Sequence, residues 1–143
     1  MSRSDRLVEE AREWIGTPYL HQASVKGVGC DCLGLLRGIW RARIGPEPEL
    51  VPTYSRDWSE AAGQERLWDA ARRVLLPAAP ELRHGDVLLF RMRGGSVAKH
   101  LGIAACDGPS ARFIHAYEGH GVVESPLSDP WARRIVARFC FPQ

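Results

Sequence analysis

Long apolar runs are missing from this sequence of 143 residues. The longest, such as Val87-Leu88-Leu89-Phe90, fall far short of the roughly 20 residues that span a bilayer, so membrane insertion is not expected. The opening Met1-Ser2-Arg3-Ser4-Asp5-Arg6 leads into charged residues rather than an apolar secretory core, and no signal peptide is read there. Charge of one sign is scarce as well. Nineteen basic against seventeen acidic residues leave a net +2, too little for a nucleic-acid footprint, and the 17 arginines are scattered among Asp and Glu as on a mixed solvated surface. Cysteine is sparse for a disulfide framework: Cys30 and Cys32 stand too close to bridge easily, so all four cysteines are read as thiols. The same pair is one residue short of a Cys-x2-Cys zinc knuckle and has no second pair, so no metal and no other cofactor is expected, zinc remaining the rival reading. No repeat or linker divides the chain, and residues 1–143 are read as one domain.

What is present changes character half-way. Leu7, Val8, Ala11, Trp14 and Ile15 recur at helical spacing after a capping Ser2 or Ser4, and Gly16-Thr17-Pro18 stops the helix. A second apolar stripe, Leu33, Leu36, Ile39 and Trp40, predicts a helix from Cys32 to Arg43. A third is predicted from Trp58 to Leu76, with Leu67, Trp68, Ala71 and Leu75 inward and Gly63 weakening its first half. Beyond it the segments Val87–Phe90, His100–Ala105, Arg112–Tyr117, Gly121–Glu124 and Arg134–Phe141 are short, β-branched or aromatic, and separated by Gly, Pro, Asp and Ser clusters. Helices first and strands after predict an α+β domain with an antiparallel sheet of about five strands.

Cys32 falls where a glycine-rich loop turns into an apolar helix, so its sulfur lies at the helix's positive end, where free amides and the macrodipole favour thiolate. A cysteine nucleophile needs an imidazole within reach and a third group to orient that imidazole. His100 and His115 sit on two adjacent predicted strands, and an antiparallel pairing allows both rings on one face. Cys106 and Cys140 read as core thiols, and His21, His84 and His120 as loop residues.

Gly16-Thr17-Pro18-Tyr19, Asp31-Cys32-Leu33-Gly34-Leu35, His84-Gly85-Asp86-Val87, His100-Leu101-Gly102-Ile103 and Ile114-His115-Ala116, in this order, resemble the NlpC/p60 family of papain-like cysteine peptidases of the bacterial cell wall. In particular the chain resembles the short phage and gene-transfer-agent branch. The resemblance implies Cys32 as nucleophile, His100 as general base and His115 as the residue that orients the base. It also implies Tyr19 near the oxyanion region and Asp31 beside the substrate's amine, with Gly85-Asp86 a structural turn outside the site. Leu33 stands where the family usually has serine, and His21-Gln22-Ala23 replaces an aromatic followed by two glycines, which implies weaker recognition of a free amine. The implied reaction is hydrolysis of amide bonds in peptidoglycan stem peptides, typically between D-glutamate and a diamino acid. The implied partners are peptidoglycan and phage-like tail or baseplate proteins. The protein would be made in the cytoplasm, carried in a tail, and act at the periplasm or cell wall. Two alternatives stay open: a papain-like amidase or acyltransferase on another substrate, and a non-catalytic tail or baseplate component that binds peptidoglycan.

Overall fold

The structure, a computed structural model, describes residues 1–49, Tyr54 and 63–143. Helix α1 (Arg3–Glu13) begins at Ser2, whose hydroxyl accepts from Asp5 N at 3.0 Å while the Asp5 carboxylate accepts from Ser2 N at 3.0 Å. This reciprocal capping box satisfies two of the amides a helix start leaves open. Leu7, Val8 and Ala11 form its buried side. A small hairpin, β1 (Ser24–Val25) and β2 (Gly29–Cys30), leads into α2 (Cys32–Arg43), whose bounds are those read from the sequence. Asp31 caps α2 by accepting from Gly34 N at 2.7 Å, and Arg41 and Arg43 close the last turn, where cations complement the dipole.

Two glycines let α2 sit deep. A β carbon on Gly34 would lie 1.9 Å from the Ala23 carbonyl, and one on Gly38 would lie 2.0 Å from the Trp14 ring. Any side chain at either position would push α2 away from the β1–β2 hairpin or from α1.

Helix α3 (Arg66–Val74) is followed by β3 (Leu76–Pro77), β4 (Val87–Phe90), β5 (His100–Ala105), β6 (Arg112–Tyr117) and β7 (Gly121–Pro126). A single turn, α4 (Asp129–Ala132), then precedes β8 (Ile135–Cys140). The sheet order is β3-β8-β4-β5-β6-β7, and every pairing is antiparallel. Five of its strands are the five expected. The sixth, β3, occupies Leu76 and Pro77, where the sequence predicts the end of the third helix. Leu75 is already extended (ψ 162°), and Leu76 pairs with Cys140 instead of continuing the helix. The first part of that predicted helix, 58–62, lies outside the described residues.

Alternation divides the sheet's side chains into two sets. Val87, Leu89, Leu101, Ile103, Ala105, Ile114 and Ala116 pack with α1 and α2 in the main core. Leu88, Phe90, Ala104 and Phe113 form a second cluster against Leu82, Leu127 and Trp131. The two histidines of interest lie on this second face.

Candidate active site

Cys32 is the first residue of α2 and is 6% exposed. Its chain is held from both sides: Tyr19 forms a parallel bridge with Cys30, Leu20 N donates to Cys30 O at 3.1 Å, and Cys30 N donates to Pro18 O at 3.0 Å. The thiol donates to the carbonyl of Lys99 at 3.7 Å, the residue immediately before His100. The nucleophile candidate thus lies under the start of β5.

His100 and His115 come together because of strand register. Ala104 pairs directly with Phe113. His100 precedes Ala104 by four residues and His115 follows Phe113 by two, so period-two alternation puts both rings on the Phe113 face. His100 Nε2 and His115 Nδ1 are 2.8 Å apart, and the rings meet edge-on with centroids 5.0 Å apart. His115 Nε2 lies 3.0 Å from the hydroxyl of Ser125 on β7. Phe90, Phe113, Tyr117 and Trp131 surround the pair, with Trp131 at 5.8 Å from His100 and 5.2 Å from His115. His100 is 8% exposed and His115 1%.

This burial sets the protonation states. Desolvation, joined by the neighbouring His115, pulls the pKa of His100 down to about 3. Desolvation and then His120 pull His115 down to about 4. Both imidazoles are neutral at pH 7. Cys32 moves the opposite way: burial and then the Asp31 carboxylate push its pKa up to about 12, against smaller lowering effects from the Leu101 and Leu33 backbone. The expectation that the helix start favours thiolate is therefore overturned for the resting site. Loss of hydration outweighs the backbone amides, and the adjacent carboxylate adds to it. The resting pair is a thiol and a neutral imidazole.

Asp31 is almost fully buried and richly bonded. Oδ1 takes the α2 cap, and Oδ2 accepts from Gln22 N at 2.7 Å and from the Tyr54 hydroxyl. His21 Nδ1 stands 3.9 Å from the same oxygen, while its Nε2 is 2.9 Å from the Tyr54 carbonyl. The acidic residue beside the nucleophile thus organises the loop 21–23, the helix start and Tyr54 at once. Leu33 is half-buried and, with Leu36, Trp40, Tyr54, Leu67 and Leu101, lines a groove of about 280 Å³. Leu33 follows the cysteine in sequence and Leu101 follows His100.

No family model matches the chain. Over 130 residues it is 29% identical to the gamma-DL-glutamyl hydrolase of Bacillus subtilis, covering 90% of this chain but 27% of that protein. Among solved structures, an NlpC/P60 family protein from Bacillus cereus superposes with a TM-score of 0.64 at 19% identity, covering 94% of this chain and 39% of that one. A lipoprotein-like NLP/P60 family protein from Staphylococcus aureus gives 0.62 at 19% identity, covering 99% and 42%. The NlpC/p60 domain of the peptidoglycan hydrolase SagA gives 0.53 at 24% identity, covering 87% and 89%. The chain has the NlpC/p60 fold. It spans about a quarter of the curated relative's length and about two fifths of the first two structures.

Within the NlpC/p60 fold the six residues singled out from sequence gather around one helix start and one strand start. Cys32, Asp31 and Leu33 are consecutive, Tyr19 is pinned beside them through Cys30, and His100 follows the carbonyl that holds the thiol. His115 joins through His100. Asp86 stays apart, accepting from Arg83 N at 2.9 Å and from Arg138 Nη1 at 3.0 Å in its turn. His84 lies elsewhere too, its Nδ1 accepting from Cys106 N at 2.9 Å. Sequence reasoning missed three residues: Tyr54, Ser125 and Trp131. Ser125 had a usable signal, because the short turn after Tyr117 sets a register in which Ser125 pairs with Phe113 and shares the face of His115. Tyr54 is brought to Asp31 by tertiary packing, for which no local pattern exists.

Proposed function

We propose that this protein is a cysteine peptidase that cleaves γ-glutamyl amide bonds in peptidoglycan stem peptides, with Cys32 as nucleophile, His100 as general base and His115 orienting the base. The observation that carries the reading is the 2.8 Å contact between His100 Nε2 and His115 Nδ1, with the Cys32 thiol held on the carbonyl of Lys99, the residue before His100. With Nε2 engaged, Nδ1 of His100 is the nitrogen left to take a proton. As the Cys32 thiol leaves the Lys99 carbonyl, its proton passes to His100 Nδ1 and the sulfur bonds to the substrate carbonyl carbon. The carbonyl π pair moves onto oxygen, toward the Cys32 N–H, which has no partner within its own helix. The tetrahedral adduct collapses to a thioester as the C–N bond breaks, and imidazolium gives its proton to the departing amine. Water, deprotonated by His100, then hydrolyses the thioester and Cys32 leaves as thiol. A neutral resting pair suits this sequence, since the proton moves only when a carbonyl is in place.

The bond is drawn from the activity named for the Bacillus subtilis relative and from the peptidoglycan hydrolase whose domain shares the fold. The finer reading, D-glutamate to diamino acid cleavage by a phage-tail or gene-transfer-agent component, rests on the motif resemblance alone. Digestion of purified peptidoglycan, with mass analysis of released fragments, tests the reading. Fragments ending at D-glutamate are expected from the wild type and not from Cys32→Ala. Intact sacculi and intact stem peptides after incubation with folded protein would overturn it.

A further inference from the structure

The line of contacts from His100 through His115 ends on a hydroxyl that the peptidase reading leaves without a task. Ser125 lies on β7, directly across from Phe113, and its Oγ stands 3.0 Å from His115 Nε2. A neutral imidazole carries one proton on one of two nitrogens, so two rings in contact share a linked choice. Either His100 donates from Nε2 to His115 Nδ1, leaving His100 Nδ1 with a lone pair, or His115 donates from Nδ1 and His100 carries its proton on Nδ1. Only the first arrangement can accept a proton from a thiol at Nδ1. It requires His115 to hold its own proton on Nε2, where a hydroxyl stands ready to accept it.

We propose that Ser125 is a positioning residue for this site: by accepting from His115 Nε2–H it fixes the tautomers of both histidines and leaves Nδ1 of His100 as the basic nitrogen. The inference rests on the assignment of His100 as base. Two further observations support it. Both rings are buried and neutral, so it is a tautomer rather than a charge that must be set. The aromatic wall of Phe113, Tyr117 and Trp131 packs on His115 with centroids 4.1, 5.4 and 5.2 Å away, so among the described residues the hydrogen-bond contacts of its ring are His100 and Ser125.

Replacing the hydroxyl removes the bias without emptying the core, since Ser125 is half-buried and small. Ser125→Ala is expected to lower kcat about three- to tenfold, the weight of one neutral hydrogen bond, with KM unchanged. Nitrogen NMR of protein labelled at histidine is expected to show His115 protonated at Nε2 in the wild type and a mixture of tautomers in Ser125→Ala. Ser125→Thr, which keeps the hydroxyl, should restore both. In a His115→Asn background the amide has no tautomer to choose, so adding Ser125→Ala should cost little more. Should the alanine variant fail to fold, Ser125→Cys keeps the volume with a weaker acceptor and serves the same comparison. The proposal is overturned if His115 carries its proton on Nδ1 in the wild type, if Ser125→Ala keeps the wild-type tautomer, or if rate falls equally in the alanine and threonine variants. Because the spectra are read without substrate, a protein inactive on every peptide would overturn the peptidase reading and leave the tautomer result standing.

Discussion

The carboxylate of Asp31 caps the helix that Cys32 begins, with Oδ1 2.7 Å from Gly34 N, and the same charge raises the pKa of the thiol beside it. Structure and reactivity therefore pull on one side chain in opposite senses. Asp31→Asn keeps a good capping oxygen but removes the charge and one acceptor for Gln22 N and Tyr54. Stability should fall by about 1–3 kcal/mol in urea denaturation. The Cys32 pKa should fall as well, so iodoacetamide should alkylate Cys32 faster than in the wild type at pH 8. An unchanged alkylation rate in folded variant would remove Asp31 from the thiol's electrostatics.

The three relay residues should separate by role. Cys32→Ala should abolish hydrolysis with circular dichroism unchanged, whereas Cys30→Ala should stay active despite some loss of core packing. His100→Ala should cost nearly all activity, while His115→Asn, which still offers an acceptor to His100, should keep a measurable fraction. Equal, complete loss in both folded histidine variants would exchange base and orienter.

Acid should weaken the fold through the same two rings. Their folded pKa values, about 3 and about 4, lie below the ordinary value of 6.5, so the unfolded chain binds more protons as pH drops. The stabilisation is complete above pH 6.5 and is lost as pH falls from there, by up to about 1.4 kcal/mol per pH unit for each ring. Urea midpoints compared at pH 7 and pH 5 should drop about twice as steeply in the wild type as in His115→Asn. Parallel slopes would mean that His115 is not buried in its neutral form.

Leu33, the residue after Cys32, brings apolar surface to a groove at the position where the motif resemblance has serine. The wild type should therefore tolerate stem peptides whose amine is blocked by attachment to glycan. Leu33→Ser adds a hydroxyl next to Asp31 and should shift preference toward free-amine tetrapeptide by about tenfold to a hundredfold, the weight of one hydrogen bond to a charged group. Relative rates on free tetrapeptide and intact peptidoglycan measure this. A wild type already strongly selective for the free peptide would show that Leu33 has no such effect.

Local pattern carried most of the fold and the placing of the candidate site residues. Periodicity placed α2 at its bounds and all five longer strands, because each has an amphipathic or fully buried stretch between clear turn residues. Local pattern makes Leu76 the end of a helix and Pro77 the start of a loop because a two-residue strand has no period; the partner of Leu76, Cys140, lies 64 residues away. His100 and His115 were legible from strand alternation. The protonation state of Cys32 was not, because the macrodipole is a local property whereas the burial that outweighs it depends on β5, Tyr54 and the rest of the core.

Strand β8 lies between β3 and β4, so the strand of this sheet that comes latest in chain order fills an interior place in it. On the ribosome, Cys32, His100, His115 and Ser125 all emerge before it. Until Ile135–Cys140 is free of the exit tunnel, β4 keeps a bare edge along Val87–Phe90, four buried apolar residues in a row. That edge is a template for pairing with a neighbouring nascent chain. The window in which this edge is exposed to misassembly is therefore set by how quickly Ile135–Cys140 follow the site that precedes them.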